Sequence, residues 1–348
     1  MGNVIKKQEL YFFKKQIKYI VITICMILLM ILTKYNTVNA ASTFTNTTRA
    51  YFYSEIGSGD CILLENYDQS GTKRYGLIDA GIANNITSVN IINFLKYHMG
   101  NVNELEFILI THNHSDHNGA TLDVLDEFSA KTIYMNAFDK NYVTDQNSQT
   151  IYEDIIEKAV TQNIKVIGVD YQTLKSGTIS PGRSNDFIQN TQNAKQSNFL
   201  EFNSKNTKFT FGSTQMQIFN WEVFDANGNQ LFIKQSSNNE WEYQTKNGVS
   251  SSREIVESDN NNSLGLLLIQ GNKKAFFSGD INNLDKNDTT GKTGDEDRIK
   301  DEIGDIDFLK LGHHGNTGSN TLEYINTLKP EHVTITNNMG RAYRETVE

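Results

Sequence analysis

The stretch FILITHNHSDHNGA, residues 107–120, constrains this chain more than any other. Its four leading apolar residues are too few for a helix and suit a strand buried on both faces. Directly after them come His112, His114, Asp116 and His117, in a chain of 348 residues that holds seven histidines. A buried strand that runs into imidazoles and a carboxylate predicts a layered fold with a site at the strand end. Imidazole nitrogen and carboxylate oxygen are the donors that borderline divalent metals such as zinc take. His-x-His lets two rings converge on one ion, and the Asp-His pair two residues on can reach a second. The alternative is a polar turn that happens to be rich in histidine; the clustering within six positions argues against it.

Strand and helix patterns alternate on either side. AYFYSEIGSGDCILLENY reads as two strands around a Gly-rich turn, and RYGLIDAGI as a strand ending in Asp79. NITSVNIINFLKYHMG reads as a helix, with Val89, Ile92 and Leu95 at helical spacing and Gly100 as its stop. GATLDVLDEF and TIYEDIIEKAVTQN are further helices, and KTIYMN and IKVIGV further strands. This alternation predicts an α/β fold. Residues 172–208 and 225–263 are rich in Asn, Gln, Ser and Thr and read as polar surface insertions without a core of their own. Between them FTFGSTQMQIFNW alternates like one half-exposed strand, and DANGNQ suits a hairpin turn. SLGLLLIQG, KAFFSGD, IDFLKLGHHG and EHVTITN are the later strands, with DEDRIKDEIG a helix among them. Tyr51, Phe52, Tyr53, Phe209 and Phe211 alternate as core-packing strand residues do. TTGKTG at 289–294 lacks the spacing of a phosphate loop.

The first 41 residues read as a targeting segment. Lysines open it, the apolar run YIVITICMILLMILT follows, and Val38, Asn39 and Ala40 make a small-residue cleavage pattern. A signal peptide cut after Ala40 or Ala41 is predicted, with an uncleaved signal anchor the alternative. Both place the remainder outside the cytoplasmic membrane, with membrane contact only if the leader stays. Six lysines against one glutamate fall in the first 40 residues, so the rest is more acidic than the formal −9 of the whole chain. That balance predicts no stable binding to nucleic acid. Cys61 is the one cysteine beyond the leader; it lies in an apolar stretch and reads as a buried small hydrophobe.

Two more strand ends carry donors. FFSGD delivers Asp280, where a carboxylate can bridge two cations, and KLGHHGNTGS delivers His313 and His314. IGSGDCILLE, LIDAG, ILITHNHSDHNGA, NNNSLGLLLI, FFSGD and LKLGHHGNTGS, in this order across residues 50–337, resemble the metallo-β-lactamase superfamily. Within it, the hydrolase domain of ComEC-type competence proteins is the nearer likeness; phosphorylcholine esterases of bacterial surfaces share the pattern.

The resemblance implies an αββα sandwich over residues 42–348 with a two-metal site at one edge. It implies His112 and His114 on the first ion, Asp116 and His117 on the second, Asp280 bridging, and His314 completing the second. His313 is left to contact substrate or donate a proton, and Asp116 and His313 are the candidate catalytic residues. Asp79 and Asp60 would steady the metal loops. Two divalent ions, zinc or else manganese, would hold a hydroxide for attack on a phosphodiester, either extracellular nucleic acid or a phosphodiester of the cell envelope. The alternatives are a non-catalytic surface binding protein on the same fold, and a hydrolase of another ester or amide such as a lactam. Two departures stand out. No histidine occurs between His117 and His313, where DNNNSLG takes the place of a further ligand, so three protein ligands remain for the first ion. The sequence also stops soon after VTITNN, short of the expected second αβ half, which reads as a truncated C-terminus.

Overall fold

The structure, a computed structural model, describes residues 47–56, 59–84, 86–136, 146–168, 199–200, 202–224, 229–235, 241–250, 259–283 and 295–337. The leader, most of the polar stretch 172–208, the turn within DANGNQ and TTGKTG lie outside the described residues. Among the described residues no helix is long and apolar enough to cross a membrane.

In chain order the elements are β1 (Arg49–Phe52), β2 (Cys61–Tyr67), β3 (Lys73–Ala80), α1 (Thr87–Met99), β4 (Glu104–Leu105) and β5 (Phe107–Ile110). Next come α2 (Ser115–Asn118), α3 (Thr121–Glu127), β6 (Ser129–Ala130), β7 (Thr132–Met135), α4 (Gln146–Thr161), β8 (Lys165–Ile167) and β9 (Phe199–Leu200). The second half holds β10 (Lys208–Phe211), β11 (Thr214–Phe219), β12 (Val223–Phe224), β13 (Gln230–Gln235), β14 (Trp241–Thr245), β15 (Gly265–Gln270) and β16 (Lys273–Phe277). It closes with α5 (Asp295–Ile303), β17 (Phe308–Lys310), α6 (Leu322–Leu328) and β18 (His332–Thr334).

Two large sheets result. The first runs β1-β2-β3-β5-β7-β8-β9, antiparallel up to β3 and parallel from there. The second runs β10-β11-β15-β16-β17-β18, antiparallel as far as β16 and parallel after it. Side chains alternate across a strand, and this sorts the apolar residues into three layers. Leu63, Leu77, Ile108 and Ile133 turn outward onto Ile91 and Leu95 of α1, Val124 of α3 and Ile155 of α4. Their neighbours Ile62, Ile78 and Leu109 turn inward and meet Phe211, Met216, Leu266 and Phe277 of the second sheet. Leu267, Phe276 and Leu309 face out again, onto Ile299 and Ile303 of α5 and Tyr324 and Leu328 of α6. Helices therefore flank two stacked sheets in an αββα sandwich. Each fully buried Leu, Ile or Phe contributes roughly 1.5–3 kcal/mol through burial. Cys61 is part of the first of these layers.

Two sequence expectations are corrected. FTFGSTQMQIFNW is not one strand: β10 and β11 form a hairpin that turns at Gly212 and Ser213 and joins the second large sheet. β13 and β14 fall within the polar stretch 225–263, and β13 pairs with both β12 and β14 in a small three-stranded sheet. The buried face of α1 is Ile91, Leu95 and Met99, whereas Val89 is exposed. At 3.6 residues per turn a spacing of six leaves two side chains about 120° apart, so Val89 and Leu95 cannot share a face. Helix α6, opened by Thr321 accepting from Tyr324 N, was not anticipated.

Candidate metal centre

The ends of β3, β5, β16 and β17 deliver the chemistry to one edge of the sandwich. After β5 the chain turns through Thr111 to His114, which stands extended ahead of the short helix α2 (φ −69°, ψ 145°). That turn carries Asp116 and His117. It packs tightly against the loop before β2: a Cβ on Gly59 would lie 2.5 Å from the Asp116 carbonyl oxygen, and Gly59 has φ +135°. After β17 the chain makes two consecutive left-handed residues, His313 (φ 45°) and His314 (φ 52°). Such backbone costs about 1–3 kcal/mol per non-glycine residue. The fold sustains it by clamping Gly312, whose N–H donates to Asn320 Oδ1 (2.8 Å) and whose carbonyl accepts from Asn320 Nδ2 (2.9 Å) and Ser319 Oγ (3.0 Å).

His112, His117, Asp280 and His314 are buried; His114, Asp116 and His313 are partly open. Each buried ring has Nδ1 held from behind, which leaves Nε2 facing the centre. His117 Nδ1 meets Asp79 Oδ2 at 2.7 Å. His112 Nδ1 lies 3.1 Å from Thr111 Oγ1, and that hydroxyl itself donates to Asp79 Oδ2 (2.7 Å). His314 Nδ1 lies 3.2 Å from Thr336 Oγ1. Such outer partners fix the tautomer and aim of metal-binding imidazoles. Asp79 also accepts from Thr111 N (2.7 Å), so one carboxylate braces the whole turn.

The facing atoms fall into two groups. His112 Nε2 and His114 Nδ1 are 3.0 Å apart, with Asp280 Oδ2 3.9 Å from His112 Nε2. His117 Nε2 and His314 Nε2 are 3.1 Å apart, and each is 3.2 Å from Asp280 Oδ2. Asp116 Oδ2 lies 4.0 Å and 3.8 Å from those two nitrogens. Donors set tetrahedrally around zinc at about 2.0–2.1 Å are roughly 3.3 Å from one another. Imidazole and carboxylate donors at this spacing, with Asp280 Oδ2 common to both groups, fit a pair of divalent cations. Burial opposes charge on His117, but Asp280 and Asp79 outweigh it and hold that imidazole well above its ordinary range. A cation held at Nε2 would meet the same two carboxylates that favour this proton. His112 is pushed the other way, by burial and then by the charge on His117.

Asp60 belongs to a buried quartet with His117, Asp280 and His314. It approaches from the Nδ1 side, however, 3.9 Å from His117 Nδ1 and 3.8 Å from His314 Nδ1, and it is ion-paired with Lys310. We assign it to the supporting structure behind the rings. Sequence reasoning missed Lys310, a fully buried lysine that also donates to the Gly279 carbonyl (2.9 Å). Its signal was a charge inside the apolar run FLKLG. Burial disfavours that ammonium, yet Asp60 and Asp280 outweigh the penalty and raise its pKa. Also missed were Asn282 and Asn260, which hold the His313 ring at 2.9 Å from Nδ1 and 3.3 Å from Nε2. Asn260 comes from DNNNSLG, so the stretch that lacks a ligand histidine supports another histidine instead.

Residues 55–188 match the family model described as Metallo-beta-lactamase superfamily. That match covers less than half of the chain, and beyond it the likeness is one of fold. Among solved structures, metallo-β-lactamase-fold proteins are similar at low identity. The CmlA beta-hydroxylase E377D mutant is 12% identical over 83% of this chain and 46% of its own, with a TM-score of 0.37. The chain thus spans less than half of that protein. A diphosphatase from the PhnP family is 10% identical over 82% of this chain and 85% of its own, TM-score 0.34. MEM-A1, a subclass B3 metallo-beta-lactamase isolated from a soil metagenome library, is 12% identical over 78% and 79%, TM-score 0.36. No curated protein matches the chain significantly.

Proposed function

We propose that this chain is an exported, dinuclear metal-dependent hydrolase that cleaves phosphodiesters. The observation that carries the reading is the common aim of His112, His117 and His314: each has Nδ1 secured and Nε2 directed toward Asp280 Oδ2. His112, His114 and Asp280 would hold one ion, and Asp116, His117, His314 and Asp280 the other. Two divalent cations there would supply Lewis acidity and lower the pKa of a water for attack on phosphorus. Asp116, a third exposed, closes the second group of donors on its open side. His313 is kept in one orientation by Asn282 and Asn260, and it offers Nε2 to substrate by exchanging its bond with Asn260. Asp60, Asp79 and Lys310 form a buried charged layer beneath the site. Choice of a phosphodiester, and the placement outside the cytoplasm, draw on the ComEC-type pattern and the leader.

The test is hydrolysis of bis-p-nitrophenyl phosphate beside a chromogenic lactam. Turnover of the phosphodiester should vanish with chelator and return with zinc or manganese. Asp280→Ala should abolish it while circular dichroism stays native. Lactam turnover without phosphodiester turnover would overturn the substrate assignment, and loss of neither activity on chelation would overturn the metal reading.

A further inference from the structure

Lys310 is the one charged side chain of β17, set between Leu309 and Leu311, and it is 0% exposed. Its ammonium donates to Gly279 O at 2.9 Å, pairs with Asp60, and stands 3.7 Å from Asp280 Oδ1. That oxygen has no hydrogen-bond partner, while the other oxygen of the same carboxylate lies 3.2 Å from both His117 Nε2 and His314 Nε2. The Gly279 carbonyl also accepts from His313 N at 3.2 Å. A single ammonium thus links the start of β2, the turn after β16 and the paired histidines after β17.

We propose that Lys310 is a positioning residue of the metal centre: its ammonium engages Asp280 Oδ1 and the backbone beside it, so that Oδ2 is presented to both groups of imidazoles. This rests on the dinuclear reading above. A carboxylate has two equivalent ends, and without a cation behind it either end can turn to a metal, or both can chelate one. A positive charge beside two cation sites opposes metal binding through space, so the contribution of Lys310 is orientation. A lysine kept only to balance Asp60 would have no influence on metal once Asp60 is neutral, and that separates the two roles.

The experiment compares the full-length protein with Lys310→Met, with Asp60→Asn and with the double variant Asp60→Asn/Lys310→Met. The double variant takes both charges out of the core together and carries the test if the single one fails to fold. Zinc affinity is read by competition with a chromophoric chelator, and coordination by the absorption spectrum of the cobalt form. Outer partners of metal ligands typically carry about 10–100-fold in affinity. Lys310→Met should bind the more weakly held ion that much less tightly than the wild-type protein, and the double variant that much less tightly than Asp60→Asn, each with an altered cobalt spectrum. Affinity and spectrum in the double variant equal to those of Asp60→Asn alone would overturn the proposal and leave Lys310 as the counter-ion of Asp60. Failure of the wild-type protein itself to take up two ions would instead overturn the metal reading on which it stands.

Discussion

Asp79 is the residue on which the aim of the site turns. Its left-handed backbone (φ 54°) is one that Asn tolerates as well as Asp does, so Asp79→Asn is a conservative probe. The amide would set an N–H against His117 Nδ1, which now meets a carboxylate oxygen at 2.7 Å. His117 would then favour the tautomer with its proton on Nε2, the atom facing Asp280. We expect metal affinity to fall about 10–100-fold with folding intact, as read by chelator competition; unchanged affinity would contradict the bracing role. The segments that gather the candidate donors were legible because strand ends with His and Asp are distinctive. Lys310 was not. A lone lysine in a strand reads as a surface residue until the pairing of β17 with β16 buries it beside two carboxylates that are remote in sequence.

At the scale of elements, the loops that hold the site can be tested apart from the ligands. Gly59→Ala must place a methyl 2.5 Å from the Asp116 carbonyl in a backbone conformation that disfavours side chains. It should cost about 1–3 kcal/mol of stability in urea unfolding and reduce turnover by shifting Asp116; native values for both would show that the loop yields freely. The turn after β17 is braced differently. Glu296, near the start of α5, accepts from Thr321 N (2.9 Å) and Asn320 N, and Asn320 clamps Gly312. Burial, opposed by those N–H groups, pushes the Glu296 carboxyl up from 4.5 to about 7. A raised pKa in the folded state means that its stabilisation is complete below 4.5 and lost as pH rises through about 7. Glu296→Gln mimics the protonated form. Relative to this variant, the metal-free wild-type protein should lose up to about 3 kcal/mol between pH 4.5 and 7.5. Chemical denaturation across that range checks it, and a gap that does not change with pH would refute it. Sequence periodicity found α1 but misjudged its face, because three-residue steps drift around the helix. It also merged β10 with β11, because the short turn at Gly212 and Ser213 left the alternation unbroken.

For the molecule as a whole, the alternation of buried strands with amphipathic helices made the layered α/β class legible. It did not reveal which strands lie at the sheet edges. The placement of β9 beside β8, and of the β10 and β11 hairpin beside β15, depends on pairing between distant segments. The two stacked sheets bring the ends of β3, β5, β16 and β17 to one edge. Donors from three separate segments, after β5, β16 and β17, and the Asp79 brace at the end of β3 therefore converge only when the sandwich is complete, and metal binding and folding should be linked. With free metal at 100 times its dissociation constant, one site adds about 2.7 kcal/mol to stability, so chelator should lower the melting temperature. The most direct test of the account is metal content, by elemental analysis of the purified, folded protein after exposure to zinc or manganese and removal of the excess. The account predicts close to two ions per chain, both removable by chelator. Folded protein that retains no metal after this treatment would contradict it.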